Sequence, residues 1–210
     1  MIGIFGGTFD PVHYGHLRSA LEVKEIFGLE EVRLIPSSQP PHRSQPHATA
    51  NMRVQMLNLA IANQPDLTID TREIDRAGAS YMVLTLESLR QDFPDQPLLL
   101  FVGSDAFSQL TSWYQWQRLF DFAHIVVLTR PGFSVLQLDE FFAVRQTSDR
   151  EQLSEHLSGK LYCQPITQLD ISATAIRKIF ADRRSPAFLL PDAVIAYISQ
   201  NKLYQAQIVH

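Results

Sequence analysis

The chain has 210 residues, a length that predicts a single domain, residues 1–210, with a sizeable hydrophobic core. Hydrophobic residues make up 45% of the sequence, charged residues 19%, and the formal net charge is −4, which argues against a nucleic-acid partner. The longest apolar runs, such as residues 98–102, are far too short to cross a membrane. The single cysteine, Cys163, is interpreted as packing, and with no visible signal peptide the sequence predicts a soluble, cytoplasmic protein.

Strand-like and helix-like segments alternate along the chain. Apolar or alternating runs predict strands, and apolar residues spaced by three or four predict amphipathic helices. The predicted strands are residues 2–5, 31–35, 67–74, 98–102, 125–129 and 161–166. The predicted helices are residues 15–27 with Gly28 as C-cap, 52–62 with Asn51 as candidate N-cap, 81–93, parts of 105–120 with a break at Thr111 and Ser112, a short helix near 139–144, 172–180 and 192–202.

This alternation predicts an α/β protein with a Rossmann-like, doubly wound parallel sheet and a small C-terminal helical extension over about residues 171–210. In such folds ligands bind at the carboxyl ends of the strands. The polar loop 37–49 is long enough to suggest a functional role. Residues 133–159 carry no functional interpretation.

Residues 6–16 read Gly-Gly-Thr-Phe-Asp-Pro-Val-His-Tyr-Gly-His, between the first predicted strand and helix. Glycines at a strand end let backbone amides approach a ligand, and a helix start directs free N–H groups at anions. His13 and His16 are spaced to share one face, and the pair suits a phosphate that gains charge in a transition state. Zinc fits less well, because no Cys/His cluster supplies a third ligand. Asp10 is interpreted as shaping the turn through local hydrogen bonds.

The segment matches neither the P-loop nor the Gly-x-Gly-x-x-Gly pattern. It resembles the signature of the nucleotidyltransferase superfamily that carries an HxGH motif. Residues 171–177 are similar to a second signature of that superfamily, Ile-Ser-Ser-Thr-x-Ile-Arg, with Ala173 in place of the usual second serine. Further stretches resemble one branch, the bacterial nicotinate-nucleotide adenylyltransferases, in matching order over nearly the whole chain. These stretches are Pro40-Pro41-His42-Arg43, Ser80-Tyr81 with Thr85-Leu86, Gly103-Ser104-Asp105 and Trp113-Tyr114.

The resemblance implies transfer of AMP from ATP to nicotinate mononucleotide, giving nicotinate adenine dinucleotide and pyrophosphate, in NAD biosynthesis. It assigns catalysis to His13 and His16, stacking on nicotinate to Trp113, and contacts with the nicotinate carboxylate to amides near Tyr114 and Thr85. Mg²⁺ is expected to bind mainly through ATP phosphates and water, with few protein ligands. The implied ATP and phosphate contacts are Gly6, Gly7, Thr8, Phe9, His42, Arg43, Gly103, Asp105, Ile171, Ser172, Thr174 and Arg177.

Several of these residues also have a purely structural interpretation. Arg43 offers a planar donor fork suited to phosphate oxygens, but it also fits a solvated loop. Ser172 is a natural helix N-cap, a role that can coexist with ligand binding. Asp105 can accept hydrogen bonds from ribose or cap a helix. Trp113 can stack on a ring or pack in the core, whereas Trp116 is interpreted as structural.

Two alternatives stay open. Another enzyme of the superfamily, such as a pantetheine-phosphate adenylyltransferase or a cytidylyltransferase, would share the first and last motifs but not Trp113-Tyr114 or Ser80-Tyr81. A catalytically silent nucleotide sensor would not need the paired imidazoles of His13 and His16. The chain is expected to be a monomer or a weak homo-oligomer.

Overall fold

The computed structural model describes residues 1–38, 45–76, 78–129, 139–167 and 169–205. No helix in these ranges is long and apolar enough to cross a membrane. The strands are β1 (Ile2–Gly7), β2 (Glu31–Pro36), β3 (Leu67–Ile69), β4 (Leu98–Gly103), β5 (His124–Thr129) and β6 (Leu161–Pro165). The α-helices are α1 (Tyr14–Phe27), α2 (Ala50–Ile61), α3 (Arg72–Asp75), α4 (Met82–Asp92), α5 (Ser104–Phe107), α6 (Leu119–Phe122), α7 (Glu140–Ala143), α8 (Gln152–Glu155), α9 (Ala173–Ala181) and α10 (Asp192–Gln200). Two short 3₁₀ helices span Leu110–Ser112 and Trp116–Arg118.

The six strands form one sheet in the order β3-β2-β1-β4-β5-β6, and every neighbouring pair is parallel. The chain runs outward from β1 to β3 and then returns to place β4 on the other side of β1. This reversal is the topological switch point at which open parallel sheets bind ligands. The predicted doubly wound parallel sheet is therefore confirmed.

Hydrophobic clusters cover both faces of the sheet. One cluster joins Val23 of α1, Met56 of α2 and Ile198 of α10. The other joins Leu86 of α4 and Leu119 of α6. Because both faces are covered, the central strands are apolar on successive residues rather than on alternate ones. The C-terminal helices thus share a hydrophobic core with the sheet.

The third strand ends five residues earlier than expected, at Ile69. The cause is the buried carboxylate of Asp70, which accepts hydrogen bonds from Nη1 of Arg33 at 3.0 Å and from the backbone N–H of Arg72 at 3.1 Å. Nε of Arg72 also donates to Asp70, at 2.9 Å. These bonds turn the chain out of the sheet and start α3.

Two further local expectations differ from the structure. The N-cap of α2 is Thr49 rather than Asn51, because the Thr49 hydroxyl accepts a hydrogen bond from the amide of Met52 at 3.3 Å. The helical break after α5 does not fall at Thr111, which lies in a 3₁₀ helix. It comes at residues 113–115, because Trp113 is extended and Gln115 adopts the left-handed region, with φ of 49°.

Other local expectations are confirmed. Gly28 ends α1 in the left-handed conformation, with φ of 59°. Trp116 is structural, because its ring packs against Phe141 and Phe142 with centroids 4.8 and 5.2 Å away. Cys163, on β6, packs against the same hydrophobic cluster. The short helix expected near residues 139–144 is α7, whereas α8 was not anticipated.

We expect Asp70→Asn to lower the free energy of unfolding by about 2–3 kcal/mol at neutral pH, since Arg33 and Arg72 lose the negative charge with which they pair. Burial raises the pKa of the Asp70 carboxyl, but hydrogen bonds from Arg72 and Arg33 outweigh it and hold the pKa below its ordinary value. A carboxylate with a lowered folded pKa stabilises the fold above its unfolded pKa, and this stabilisation is lost as pH falls through the folded value. The deficit of the variant should therefore shrink below about pH 4.

Urea unfolding at pH 7 and at pH 3.5 measures both effects. Exposed Asp95 provides the control, since Asp95→Asn should change stability by less than about 0.5 kcal/mol. A deficit in Asp70→Asn that is equally large at both pH values would contradict the ionic origin of the stabilisation.

Candidate active site

Two adjacent cavities open where β1 and β4 end, and both are lined by Gly6, Gly7 and Thr8. We call the first the imidazole cavity. Its wall also includes eight of the predicted site residues, namely Phe9, His13, His16, Asp105, Ile171, Ser172, Thr174 and Arg177. We call the second the aromatic cavity; its wall includes Tyr81, Met82, Gly103, Trp113 and Tyr114. The shared turn means that ligands in the two cavities would lie side by side.

The two motif histidines meet as predicted. His13 caps the N-terminus of α1 in an extended conformation, and His16 follows in the first helical turn. Their rings stack with centroids 3.8 Å apart and planes inclined by 26°. Phe9 packs edge-on against His16 at 5.0 Å, and this contact supports the pair from the side of the turn. Both rings are therefore fixed at the wall of the imidazole cavity.

His13 is buried, and burial lowers the pKa of its imidazole to about 4. The ring is thus neutral at pH 7 and can offer a ligand an N–H group but not a full positive charge. Within the described residues Nδ1 of His13 has no hydrogen-bond partner and is buried. It faces Gly15, where a Cβ would lie only 2.9 Å from it. Nε2, on the opposite edge of the ring, is the atom left for a ligand.

Asp10 lies beneath the turn with 3% of its surface exposed. Oδ2 accepts from the amide of His47 at 2.7 Å, and Oδ1 accepts from the amide of Ala48 at 3.1 Å and from the hydroxyl of Tyr204 at 2.6 Å. The expectation of local hydrogen bonds is therefore corrected, because these partners are 37 or more residues away. Asp10 joins the motif to segments far along the chain.

The second signature docks onto the first through Arg177. Nη1 of Arg177 donates to the carbonyl of Asp10 at 2.7 Å, and Nη2 donates to the hydroxyl of Thr174 at 3.2 Å. Ser172 caps α9, as predicted, by accepting from the amide of Ala175 at 3.1 Å. These bonds hold a guanidinium group and the start of a helix against the imidazole cavity, an arrangement suited to an anion.

Arg53 is a second cation of the site, and no sequence pattern predicted it. It lies on α2 with 1% of its surface exposed, and its Nη1 donates to the carbonyl of Thr8 at 2.8 Å. Burial lowers the pKa of its guanidinium, which nevertheless stays charged at neutral pH. Arg53 thus supports the turn from behind. The imidazole cavity is also lined by His47, another residue with no recognisable local pattern.

Trp113 and Tyr114 both line the aromatic cavity, and the Tyr114 ring lies 4.5 Å from that of Tyr81. Thr85 does not reach it. Its side chain is fully buried, its hydroxyl donates to Glu73 at 2.7 Å, and its amide bonds to the carbonyl of Tyr81 at 3.3 Å. In this structure Thr85 lies behind the cavity wall, and the expected contact of amides near Thr85 with the nicotinate carboxylate stays a prediction.

The remaining predicted residues divide into three cases. Gly103 ends β4 and is the N-cap residue of α5. Asp105 therefore does not have the helix-capping role considered for it. Asp105 is exposed and lines the imidazole cavity, so its carboxylate is open to a ligand. His42 and Arg43 lie outside the described residues.

The donor groups do not form a dedicated metal centre. In the part of the chain that the structure describes, no three His, Cys, Asp or Glu side chains are placed to hold one ion. Both oxygens of Asp10 already accept hydrogen bonds, so Asp105 is the carboxylate open to the imidazole cavity. Such a site fits a cation that arrives with a phosphate ligand and keeps mostly phosphate and water ligands.

Comparison with known proteins identifies the family of this chain. The cytidylyltransferase-like family matches residues 4–179. A protein of Methylococcus capsulatus, named as a probable nicotinate-nucleotide adenylyltransferase, is 49% identical over 97% of this chain and 99% of its own length. A protein of Aeromonas salmonicida with the same name is 41% identical over 98% of this chain and 97% of its own length.

Solved structures agree on the fold. The nicotinic acid mononucleotide adenylyltransferase of Plasmodium falciparum complexed with NaAD gives a TM-score of 0.73, covering 97% of this chain and 96% of the other at 19% identity. A structure of the same enzyme complexed with APC gives 0.71 at 18% identity, again covering 97% and 96%. At such identities the likeness supports the fold alone.

We expect Gly15→Ala to displace the His13 ring and to lower the free energy of unfolding by about 1–3 kcal/mol, because its Cβ would enter occupied space. Without that contact, alanine in a helix would stabilise the protein instead. Urea unfolding and the NMR resonances of the His13 ring measure the two effects. Gly103→Ala is the control, since nothing lies within 4 Å of its Cβ position. Unchanged His13 resonances in Gly15→Ala would contradict the packing argument.

Proposed function

Because the chain belongs to the cytidylyltransferase-like family and, within it, to the nicotinate-nucleotide adenylyltransferases, we propose that its two cavities bind ATP and nicotinate mononucleotide side by side. The enzyme transfers AMP from ATP to nicotinate mononucleotide, giving nicotinate adenine dinucleotide and pyrophosphate, a step of NAD biosynthesis. The observation that carries the proposal is the turn Gly6-Gly7-Thr8, which lines both cavities. A reacting phosphorus atom over this turn would be within reach of both substrates.

The imidazole cavity takes the triphosphate. Arg177 supplies a full positive charge there, and the amide groups at the starts of α1 and α9 supply further donors. His13 and His16 donate N–H groups to the phosphate whose charge grows in the transition state. Asp105 accepts hydrogen bonds from ribose hydroxyls. Arg43, by resemblance, is a second phosphate clamp.

The aromatic cavity takes nicotinate mononucleotide. Trp113 offers a flat ring on which the pyridine can stack, and Tyr114 lies beside it with a ring contact to Tyr81. The nicotinate carboxylate would then meet backbone amides near Tyr114. The phosphate of this substrate points to the shared turn, because that turn is the border between the two cavities.

The reaction needs no protein nucleophile. A phosphate oxygen of nicotinate mononucleotide attacks the α-phosphorus of ATP, the new P–O bond forms, and the bond to pyrophosphate breaks. The enzyme acts by positioning the two anions and by stabilising the charge that develops on phosphate oxygens. Mg²⁺, held mainly by ATP phosphates, would screen the charge of the triphosphate. We place the reaction in the cytoplasm, as the single cysteine favours, and expect a monomer or weak homo-oligomer.

A pyrophosphate-release assay with ATP and three acceptors tests the function. Nicotinate mononucleotide, nicotinamide mononucleotide and phosphopantetheine are each supplied at equal concentration. Turnover with the first should exceed turnover with the other two. Preferred turnover of phosphopantetheine would instead identify another enzyme of the superfamily, and ATP binding without any turnover would identify a sensor.

We expect His16→Ala to lower kcat by about 10²–10³, because one preorganised donor to the developing charge is lost. The thermal midpoint should change little, since the His16 ring lies at the cavity wall rather than in the hydrophobic core. His156→Ala is a suitable control, as that side chain is exposed on the chain after α8. A kcat of His16→Ala close to that of the wild type would remove His16 from the mechanism.

A further inference from the structure

We propose that Tyr204, in the C-terminal segment after α10, is a positioning residue of the imidazole cavity. Its hydroxyl fixes the Asp10 carboxylate, and through Asp10 it sets the place of Arg177 at the phosphate site. Tyr204 does not line the cavity and would not touch a substrate. The inference rests on the proposed function only in taking ATP as the ligand of this cavity.

The contact itself is short and partly buried. The hydroxyl of Tyr204 donates to Oδ1 of Asp10 at 2.6 Å, a length typical of a hydrogen bond from a hydroxyl to a carboxylate. Burial, together with the adjacent Asp10 carboxylate, raises the pKa of Tyr204 far above its ordinary value. The hydroxyl therefore remains a donor over the whole working pH range.

The backbone conformation of residues 202–204 places this hydroxyl against Asp10. Lys202 and Tyr204 both adopt the left-handed region, with φ of 52° and 60°, although neither is glycine. Such conformations cost free energy and persist where surrounding contacts hold them. Here the amide of Leu203 bonds to the carbonyl of Ile198 at 3.0 Å, and the Tyr204 ring packs against that of Phe180 at 6.2 Å.

Asp10 transmits the effect to the cavity. Its carbonyl accepts from Nη1 of Arg177 at 2.7 Å, and its Oδ2 lies 4.0 Å from the same nitrogen. When a buried carboxylate loses one hydrogen-bond donor, a new donor in its place lowers the free energy, because a buried charge without partners is unfavourable. At the cavity wall, Nδ1 of His47 lies 3.5 Å from Oδ2 and Nη1 of Arg177 lies 4.0 Å from it, but only the guanidinium group is permanently charged. Without the Tyr204 hydroxyl, Arg177 should move toward Asp10 and away from a bound phosphate.

Tyr204→Phe tests the proposal, with Tyr197→Phe as the matched control. Phenylalanine keeps the ring contact with Phe180 and removes only the donor. Tyr197 packs against the same hydrophobic cluster, and among the described residues its hydroxyl makes no hydrogen bond. Isothermal titration with ATP and Mg²⁺, without acceptor, gives the dissociation constant of each protein, and a second titration uses nicotinate mononucleotide alone.

We expect Tyr204→Phe to weaken ATP binding about tenfold, the size of one lost hydrogen bond to a charged group. Its affinity for nicotinate mononucleotide and its thermal midpoint should stay near wild type, and Tyr197→Phe should match wild type throughout. Equal ATP affinity in Tyr204→Phe and wild type would overturn the proposal. So would a parallel loss of both affinities with a lowered thermal midpoint, which indicates a general structural role. A wild-type protein that binds no ATP would contradict the proposed function itself.

Discussion

The buried carboxylate of Asp10 is the contact on which the site depends. A carboxylate can be buried only when hydrogen-bond donors replace its water, and here the donors come from His47, Ala48 and Tyr204. These donors follow β2 and α10, so the carboxylate is satisfied only when distant parts of the chain meet beneath the turn. The proposed phosphate site is therefore complete only when these distant segments are folded together.

The charge of the site is divided between two kinds of group. Arg177 and Arg53 bring permanent positive charge, one at the cavity wall and one behind the turn. His13, with a pKa of about 4 caused by burial, brings a neutral and rigid donor instead. Guanidinium groups attract a polyanion from a distance, whereas a fixed N–H group stabilises only an oxygen atom in the right position. The first property favours binding, and the second favours the transition state.

Sequence reasoning succeeded where the signal is local. The strand, glycine turn and helix start around His13 and the Ser172 cap follow from short patterns, and the structure contains both. It failed where a distant partner decides the outcome. The end of β3 depends on the ion pairs of Asp70, which involve Arg33 from another strand. On α4, the side chain of Thr85 is buried whereas Met82 lines the aromatic cavity, a difference that the sequence pattern did not predict.

The position of β1 explains why one turn can serve two ligands. β1 has β2 on one side and β4 on the other, so the chain leaves its end with space toward both neighbours. Glycine at position 7 lets the Phe9 ring pack against the turn, because a Cβ there would lie 2.9 Å from that ring. One ligand can approach from the side of α1 and α9, and the other from the side of α4 and Trp113. The turn can then contact two anionic ligands at once. Arg177 and the amide groups at the helix starts offset the repulsion between those two anions.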